Sequence, residues 1–286
     1  MCHCTILHIT DSMKGRCMNF LTLHTGRTIP QLGFGLWQVD DATGVTETAL
    51  RAGYRLVDGA AIYGNEAGQG AGIRASGLPR DQIFVTTKVW NDRQGYDETL
   101  RAVDDSFARL ALDRIDLILI HWPCAGKNLF VDTWRALIAL QKQGRVTDIG
   151  VSNFNAAQID RLIAETGIAP VLNQVELHPR LQQADLHATN AARGIITQSW
   201  TPLGGGRSFE APEILAIATR LGKSPAQVIL RWHIEIGCSV IPRSTRAAGL
   251  AENMAVWDFG LTPEDHAAIA TLDTGGRIGP DPDHFG

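Results

Sequence analysis

Short apolar runs alternate with amphipathic stretches along most of this chain. Each run is four to eight residues long, the length of a strand, and several lack in–out alternation, as strands covered on both faces do. The predicted strands are residues 33–37, 55–58, 83–90, 115–122, 147–153, 170–176, 195–200 and 238–244.

Between these runs, apolar residues recur at spacings of three and four, which places them on one face of a helix. Three side chains that can accept a hydrogen bond from a first helical turn stand near the predicted helix starts, and we expect Asp97, Asn155 and Thr262 to be caps. The clearest apolar faces lie in residues 100–110, 134–140, 159–163 and 214–221.

Eight strands that alternate with helices, without a Pro/Gly/Ser-rich linker, indicate an α/β fold of the (β/α)8 TIM barrel type. We expect a single barrel domain over residues 18–286, with a short N-terminal β-hairpin turning at Thr25 and Gly26 and C-terminal loop and helix additions. Residues 1–17 match nothing that follows, and a disordered extension is predicted there. A doubly wound sheet is the alternative, but "GQGAG" at residues 68–72 lacks the G-x-G-x-x-G spacing and lies in a predicted helix.

Composition removes several classes of function. The net charge is −4 and no basic run occurs, so a nucleic-acid partner is not expected. No apolar stretch approaches the roughly 20 residues of a membrane span. Five cysteines form no disulfide framework, which favours the cytoplasm, and we expect a monomer. The N-terminal Cys2, His3, Cys4 and His8 lack a second ligand pair, so no metal is predicted.

Polar residues follow the apolar runs where a barrel carries its active site, at the carboxyl ends of the strands. Asp58, Lys88 and His121 end three consecutive predicted strands, and Tyr63 lies in the loop after Asp58. Each residue alone has a structural explanation as a cap, a solvated charge or a packed ring. Together they favour a general acid, because Lys⁺ lowers a tyrosine pKa, Asp keeps Lys charged and His hydrogen-bonds a substrate oxygen.

The sequence argues against nucleophilic hydrolysis and against metal-dependent chemistry. No Ser or Cys stands in a nucleophile elbow beside a histidine, and no H-E-x-x-H spacing occurs. Negative charge develops on the substrate oxygen only if an electron donor reduces the substrate, and the side chains supply no such donor. A hydride cofactor meets that need.

Several ordered motifs make the chain similar to the aldo-keto reductase family over residues 21–277. "LVDGAAIYGNE" resembles its D-x-A-x-x-Y-x-N-E motif, and "TTKVW" and "LILIHWP" resemble its lysine and histidine strands. "IGVSNF", "NQVELHP", "SWTPLGGG" and "IPRSTRAAGLAEN" resemble its cofactor segments. The segment after His121 and "TGGRIGPDPDHF" look most like bacterial members of the 2,5-diketo-D-gluconate reductase and methylglyoxal reductase group.

This resemblance implies NAD(P)H-dependent carbonyl reduction. Tyr63 would be the general acid, Lys88 and Asp58 would tune it, and His121 would orient the carbonyl. The implied cofactor residues run from the nicotinamide carboxamide and the ring-stacking Trp200, through the pyrophosphate loop, to the adenosine phosphate. They are Ser152, Asn153, Gln174, Trp200, Pro202, Leu203, Gly204, Gly206, Arg243, Ser244, Thr245, Arg246, Glu252 and Asn253.

Departures from the family pattern affect cofactor preference. Arg243 replaces the usual Lys and still binds phosphate, whereas Gly249 replaces a frequent Arg near the adenosine 2′-phosphate. Because Arg246 can compensate, NADPH is expected, with NADH possible. Gly59 stands where Thr or Ser usually follows the Asp, at the cost of a hydroxyl and of no catalytic group.

The substrate is left open at this stage. Trp37, Trp90 and Trp122 are expected to line an aromatic mouth that suits small aldehydes, ketones, dicarbonyls or a keto-sugar acid, with Arg207 or Arg277 within reach from loops. The alternative from another class is an NADP(H)-binding regulatory or redox-sensing barrel with little turnover. A phosphate-substrate isomerase barrel would instead have a catalytic Glu and phosphate loops without the Tyr/Lys pair.

Overall fold

The strands lie where the apolar runs predict them. A computed structural model of the chain describes residues 8–9 and 18–286. The strands of the described part are β1 His8–Ile9, β2 Met18–Thr22, β3 Thr28–Pro30, β4 Phe34–Gly35, β5 Leu56–Asp58, β6 Phe84–Val89, β7 Ile115–Ile120, β8 Val146–Ser152, β9 Leu172–Glu176, β10 Ile196–Trp200 and β11 Ser239–Val240.

Helices occupy the stretches between these strands. The helices of the described residues are α1 Ala42–Arg51, α2 Glu66–Ala75, α3 Tyr96–Leu110, α4 Phe130–Lys142, α5 Ala156–Thr166, α6 Ala184–Ala192, α7 Pro212–Leu221, α8 Pro225–Glu235, α9 Ala247–Met254 and α10 Pro263–Ala270. Short 3₁₀ turns cover Ala61–Tyr63, Arg80–Gln82, Asn91–Arg93, Ala125–Lys127 and Gly204–Gly206.

Strands β4 to β11 form one parallel sheet in chain order, and its two edges meet. Gly33 N donates to Val240 O at 2.9 Å, and Val240 N donates to Gln31 O at 2.8 Å. Gly35 N adds a bond to Pro242 O at 3.2 Å. The predicted (β/α)8 barrel is confirmed.

Strand β7 explains why several apolar runs lack alternation. Leu117 and Leu119 pack in the barrel interior, whereas Ile118 and Ile120 pack outward against α3 and α4. Both faces are therefore buried, as in other parallel sheets. Full burial of one such side chain stabilises the fold by about 1.5–3 kcal/mol.

The predicted hairpin closes the amino end of the barrel. Strands β2 and β3 pair antiparallel with Phe20 opposite Pro30, and Gly26 takes a φ of +83° in the turn. Leu21 and Ile29 are buried beside Leu56, the first residue of β5. Beyond the hairpin, β1 pairs with β2, and the rest of the predicted extension at residues 1–17 lies outside the described residues.

The predicted caps are correct at two of three helices. Asn155 and Thr262 begin α5 and α10 with reciprocal capping boxes. The prediction for Asp97 is wrong, because α3 already begins at Tyr96 after Gly95, whose φ of +101° favours glycine. Asp97 lies in the first turn, where a negative charge still suits the helix dipole.

Candidate active site

Three consecutive strands bring charged side chains to one mouth of the barrel. Asp58 is the last residue of β5, Lys88 is next to last in β6, and His121 directly follows β7. Lys88 Nζ lies 2.6 Å from Asp58 Oδ2 and also donates to Gly59 O at 2.9 Å. Lys88 and Asp58 are both buried, which leaves the lysine ammonium fixed by these partners.

A 3₁₀ turn carries Tyr63 to this pair. Its hydroxyl lies 3.4 Å from Lys88 Nζ, and its ring centroid lies 5.8 Å from that of His121. Nδ1 of His121 is buried and has no hydrogen-bond partner among the described residues. Asp58, Tyr63, Lys88 and His121, which the sequence placed at three strand ends and in one adjoining loop, therefore form a tetrad around one space.

The acidity of Tyr63 differs from the sequence prediction. Burial raises the pKa of Tyr63 above its usual 10.0; the Lys88 charge lowers it, and the Asp58 charge raises it again. Burial outweighs the lysine, so the net direction is upward rather than downward. The phenol is therefore fully protonated at neutral pH and holds the proton that a general acid needs.

Lys88 is charged at neutral pH and His121 is not. Burial lowers the pKa of Lys88, but the Asp58 carboxylate and contacts with Tyr63 outweigh it, and the net pKa is raised. Lys88 is thus a cation. Burial and then the Lys88 charge hold the pKa of His121 well below 6.5, so its imidazole is neutral.

A polar network continues from the tetrad onto β8 and β10. Asn153 Nδ2 donates to His121 O at 3.0 Å and to Ser152 Oγ at 3.0 Å. Trp200 Nε1 donates to Asn153 Oδ1 at 2.8 Å, which fixes the indole edge. Asn153 has a φ of +64°, in the left-handed region that Asn tolerates better than most residues.

Gln174 links this network to Asp58. Its Nε2 donates to Asp58 Oδ1 at 2.7 Å and to Gln198 Oε1 at 2.7 Å, while Ser152 Oγ donates to Gln174 O at 2.8 Å. Gln198 Nε2 in turn donates to Ser239 Oγ at 2.9 Å. The buried Gln198 and Ser239 were missed by the sequence analysis, since a glutamine inside an apolar strand carries no motif.

The site opens into a cavity of about 860 Å³. Most of the residues expected from the sequence line it, and Lys88 lies behind them. The expected residues on its wall are Trp37, Asp58, Tyr63, Trp90, His121, Trp122, Ser152, Asn153, Gln174, Trp200, Pro202, Leu203, Gly206 and Arg243.

Six expected cofactor residues do not line the cavity. Gly204 instead packs on His178, whose Cγ would lie 3.2 Å from an added Cβ. The others lie beyond Arg243, in the loop after β11 and in α9. They are Ser244, Thr245, Arg246, Glu252 and Asn253.

The segment after β11 has two features that the sequence did not reveal. Arg243 Nη1 donates to the carbonyls of Trp37 and Gln38, both at 3.3 Å, and to Gln38 Oε1 at 3.1 Å. Gly249 packs against Ser244, whose Oγ would lie 2.4 Å from an added Cβ. An arginine at position 249 would therefore require Ser244 to move.

The cavity wall is more apolar than the three predicted tryptophans suggest. The ring centroid of Phe285 lies 4.6 Å from that of Trp122 and 6.4 Å from that of Trp90. Neither Arg207 nor Arg277 lines the cavity, and Arg277 Nη1 lies 3.6 Å from Glu176 Oε2. Further residues on the cavity wall, which the sequence did not assign to the pocket, include Ile62, Phe209, Ile241, Ile278, Gly279 and Pro280.

The described part of the chain offers neither a metal site nor a membrane-spanning helix. It contains no group of three or more His, Cys, Asp or Glu side chains placed to hold a metal ion. Cys2, His3 and Cys4 lie outside it. None of its helices combines the length and apolarity needed to cross a membrane.

Comparison with known proteins decides the family. The Aldo/keto reductase family pattern matches residues 31–274. The chain belongs to the aldo-keto reductase family. It is 49% identical over 267 residues to an aldo-keto reductase of Mycolicibacterium smegmatis, covering 93% of this chain and 97% of the relative. Methylglyoxal reductase DkgA of Salmonella typhimurium is 46% identical over 270 residues, covering 93% and 98%.

A solved structure extends the likeness to three dimensions. A mutant of Gox0644 in complex with NADPH superimposes with a TM-score of 0.90 at 43% identity, covering 94% of this chain and 99% of that one. As an aldo-keto reductase, the chain is an NAD(P)H-dependent oxidoreductase.

The residues at the cavity fit such a cofactor. Gly205 and Gly206 on the cavity wall have positive φ, +61° and +80°, so the loop after Trp200 requires glycine at both positions. Arg243 supplies a cation on the wall, and the indole of Trp200 supplies an aromatic surface. Phosphate and ring recognition use such groups.

Proposed function

We propose that this aldo-keto reductase reduces small, uncharged aldehydes, ketones and dicarbonyls with NADPH, and that Tyr63 is the general acid. The observation that carries the proposal is the Asp58–Lys88–Tyr63 chain, a buried ion pair with the Tyr63 hydroxyl 3.4 Å from Lys88 Nζ at the cavity wall. A substrate oxygen in that cavity would have a proton donor and a fixed positive charge nearby.

The proton transfer follows from the order of these contacts. As negative charge develops on the carbonyl oxygen, the Tyr63 hydroxyl donates its proton to it. The tyrosinate left behind lies next to the Lys88 ammonium, which stabilises it. Asp58 holds Lys88 charged, and Gln174 holds the second Asp58 oxygen. Solvent at the open mouth then returns a proton to Tyr63.

His121 has a different role in this scheme. Its pKa is too low for it to be a cation at neutral pH, so it is not the acid. A neutral imidazole at the cavity wall can donate one N–H to the substrate oxygen. We therefore assign orientation of the carbonyl to His121 and protonation to Tyr63.

When bound, NADPH supplies the hydride that reduces the carbonyl carbon. Ser152, Asn153 and Gln174 would hold its carboxamide, and Trp200 would stack on its ring. The loop from Pro202 to Gly206 would line the pyrophosphate. Arg243, with Ser244, Thr245 and Arg246, would receive the adenosine phosphate, and Glu252 and Asn253 would reach the adenine.

The charges on the wall support an uncharged substrate. Among the described residues that line the cavity, Arg243 is the one Lys or Arg, and it is assigned to the cofactor. The aromatic end formed by Trp37, Trp90, Trp122 and Phe285 offers no cation to a carboxylate. A keto-sugar acid would therefore lose hydration of its carboxylate without gaining a partner. The relative named methylglyoxal reductase agrees with this assignment.

A matched substrate pair tests the charge preference. 4-Formylbenzamide and 4-formylbenzoate have nearly the same shape and differ in charge. We expect kcat/KM for the amide, followed by NADPH oxidation at 340 nm, to exceed that for the acid at least about tenfold. Equal values would contradict the assignment of an uncharged substrate. Tight NADPH binding without turnover of any carbonyl would favour the regulatory barrel instead.

A further inference from the structure

Glu176 is a buried carboxylate outside the catalytic tetrad. It is the last residue of β9, and its side chain is fully buried. A buried charge requires partners. Its Oε1 accepts a hydrogen bond from Ile278 N at 2.6 Å, and its Oε2 accepts one from Gly279 N at 3.0 Å. These two backbone groups are about a hundred residues further along the chain.

Two further side chains face this carboxylate, His178 and Arg277, and Arg277 Nη1 lies 3.6 Å from Glu176 Oε2. The Nε2 of His178 lies 3.1 Å from Glu176 Oε1, and its Nδ1 accepts from Arg180 N at 3.3 Å. Because Nδ1 accepts, Nε2 carries the proton and donates it to Glu176. Burial raises the pKa of Glu176, but the bonds from His178, Ile278 and Gly279 outweigh it, so the group is a carboxylate.

The tethered backbone forms part of the cavity wall. Ile278, Gly279 and Pro280 line the cavity. Gly279 lies against the indole of Trp200, since an added Cβ would be 2.4 Å from its Cη2. The opposite edge of the same indole donates to Asn153 Oδ1. Trp200 is therefore held between Asn153 and Gly279.

We propose that Glu176 is a positioning residue that ties the segment 278–280 over the cavity and so holds Trp200 against the cofactor. The claim that Trp200 is held against the cofactor rests on the proposed function, whereas the claim that Glu176 fixes segment 278–280 does not. Glu176 touches none of the reacting groups. Its loss should therefore weaken cofactor binding and leave the reduction step itself nearly unchanged.

The first test replaces one carboxylate oxygen. In Glu176→Gln, an amide NH₂ faces one of the two backbone N–H donors, so one tether bond is lost. We expect the backbone amides of Ile278 and Gly279 to exchange hydrogen about tenfold faster and the NADPH Kd to rise about tenfold. The single-turnover rate constant for reduction, at saturating NADPH, should stay within about twofold of that of the original protein.

The matched control is Glu66→Gln. Glu66 is also a buried glutamate, but its partners are Thr87 and Arg109, and it does not line the cavity. The control should leave exchange at Ile278 and Gly279 and the NADPH Kd unchanged. Equal effects of the two substitutions would overturn the tether, as would unchanged exchange in Glu176→Gln.

A second substitution covers the case in which Glu176→Gln does not fold. Gly279→Ala places a methyl on the Trp200 ring, whereas Gly260→Ala meets no atom closer than 3.5 Å. We expect only Gly279→Ala to raise the NADPH Kd, by about tenfold. An unchanged NADPH Kd in Gly279→Ala would contradict the claim that segment 278–280 holds Trp200 for cofactor binding. Faster exchange in Glu176→Gln, in a protein that reduces no carbonyl, would instead contradict the proposed function.

Discussion

Two buried aspartates, one near each end of the barrel, hold a cation from another segment. At the carboxyl end, Asp58 holds Lys88 at 2.6 Å. Near the amino end, Asp148 of β8 holds Arg27 of the hairpin through two bonds to its carboxylate, with the Nε bond at 2.7 Å. Thr25 adds a bond to Asp148 at 3.3 Å. The chemistry of the two pairs is similar.

Their surroundings give them different roles. Lys88 is completely buried, whereas 46% of the Arg27 side chain is exposed. Lys88 also contacts Tyr63, a third titrating group that reaches the cavity. The Arg27 pair joins the hairpin to the barrel floor and lines no cavity described above. A buried ion pair thus becomes a candidate for catalysis through its neighbours and its end of the barrel.

Among substitutions of these cations, removal of Lys88 is expected to cause the largest loss of activity. Lys88→Met leaves Tyr63 next to the uncompensated Asp58 charge, which opposes tyrosinate formation. We expect kcat to fall about 10²–10³-fold in steady-state assays with methylglyoxal.

A companion variant separates this loss from unfolding. An unpaired buried Asp58 costs about 3–5 kcal/mol of stability. The double variant Asp58→Asn with Lys88→Met removes both charges, and we expect it to regain stability in urea unfolding without regaining activity. Recovery of full activity by the double variant would contradict the catalytic role of the pair.

Breaking the other pair should affect stability alone. Arg27→Met leaves Asp148 buried with Thr25 as a remaining partner. We expect a loss of about 1–3 kcal/mol in the free energy of unfolding, reduced from the value for a buried pair because Arg27 is partly exposed. The measurement is urea denaturation with kcat measured in parallel. A lower kcat in folded Arg27→Met protein would contradict a purely structural role for the Arg27–Asp148 pair.

The smallest expected effect concerns a third cation, Arg243, which is exposed and lines the cavity. Arg243→Ala should raise the NADPH Kd about tenfold and the NADH Kd less than twofold, because only NADPH carries the extra phosphate. Fluorescence titration with both cofactors measures this. The two dissociation constants rising together would show that Arg243 does not recognise that phosphate.

Local patterns were sufficient to predict the barrel and the proximity of the tetrad residues at one mouth, whereas their catalytic roles stay a prediction. The runs that became β5, β6 and β7 are apolar because both faces are covered, and their last residues necessarily meet at one mouth. Family motifs likewise led to Ser152, Asn153 and Trp200, which the structure places around that mouth.

Other features depend on contacts between distant parts of the chain. Phe285 and Gly279 belong to a C-terminal segment without periodicity, and their neighbours Trp122 and Trp200 are far away in sequence. The net pKa direction of Tyr63 depends on the balance of burial against one charge, and burial is unknown before folding.

The central claim, that Tyr63 donates the proton, is tested most directly by single-turnover reduction in Tyr63→Phe with NADPH already bound. We expect the rate to fall at least about 10³-fold, with the NADPH Kd within about twofold of the original. In the original protein, the rate should stay level from about pH 6 to 9, because the Tyr63 pKa is raised and the His121 pKa lies well below 6.5. An unchanged rate in Tyr63→Phe, or a rate that follows a titration near pH 6.5, would contradict Tyr63 as the proton donor.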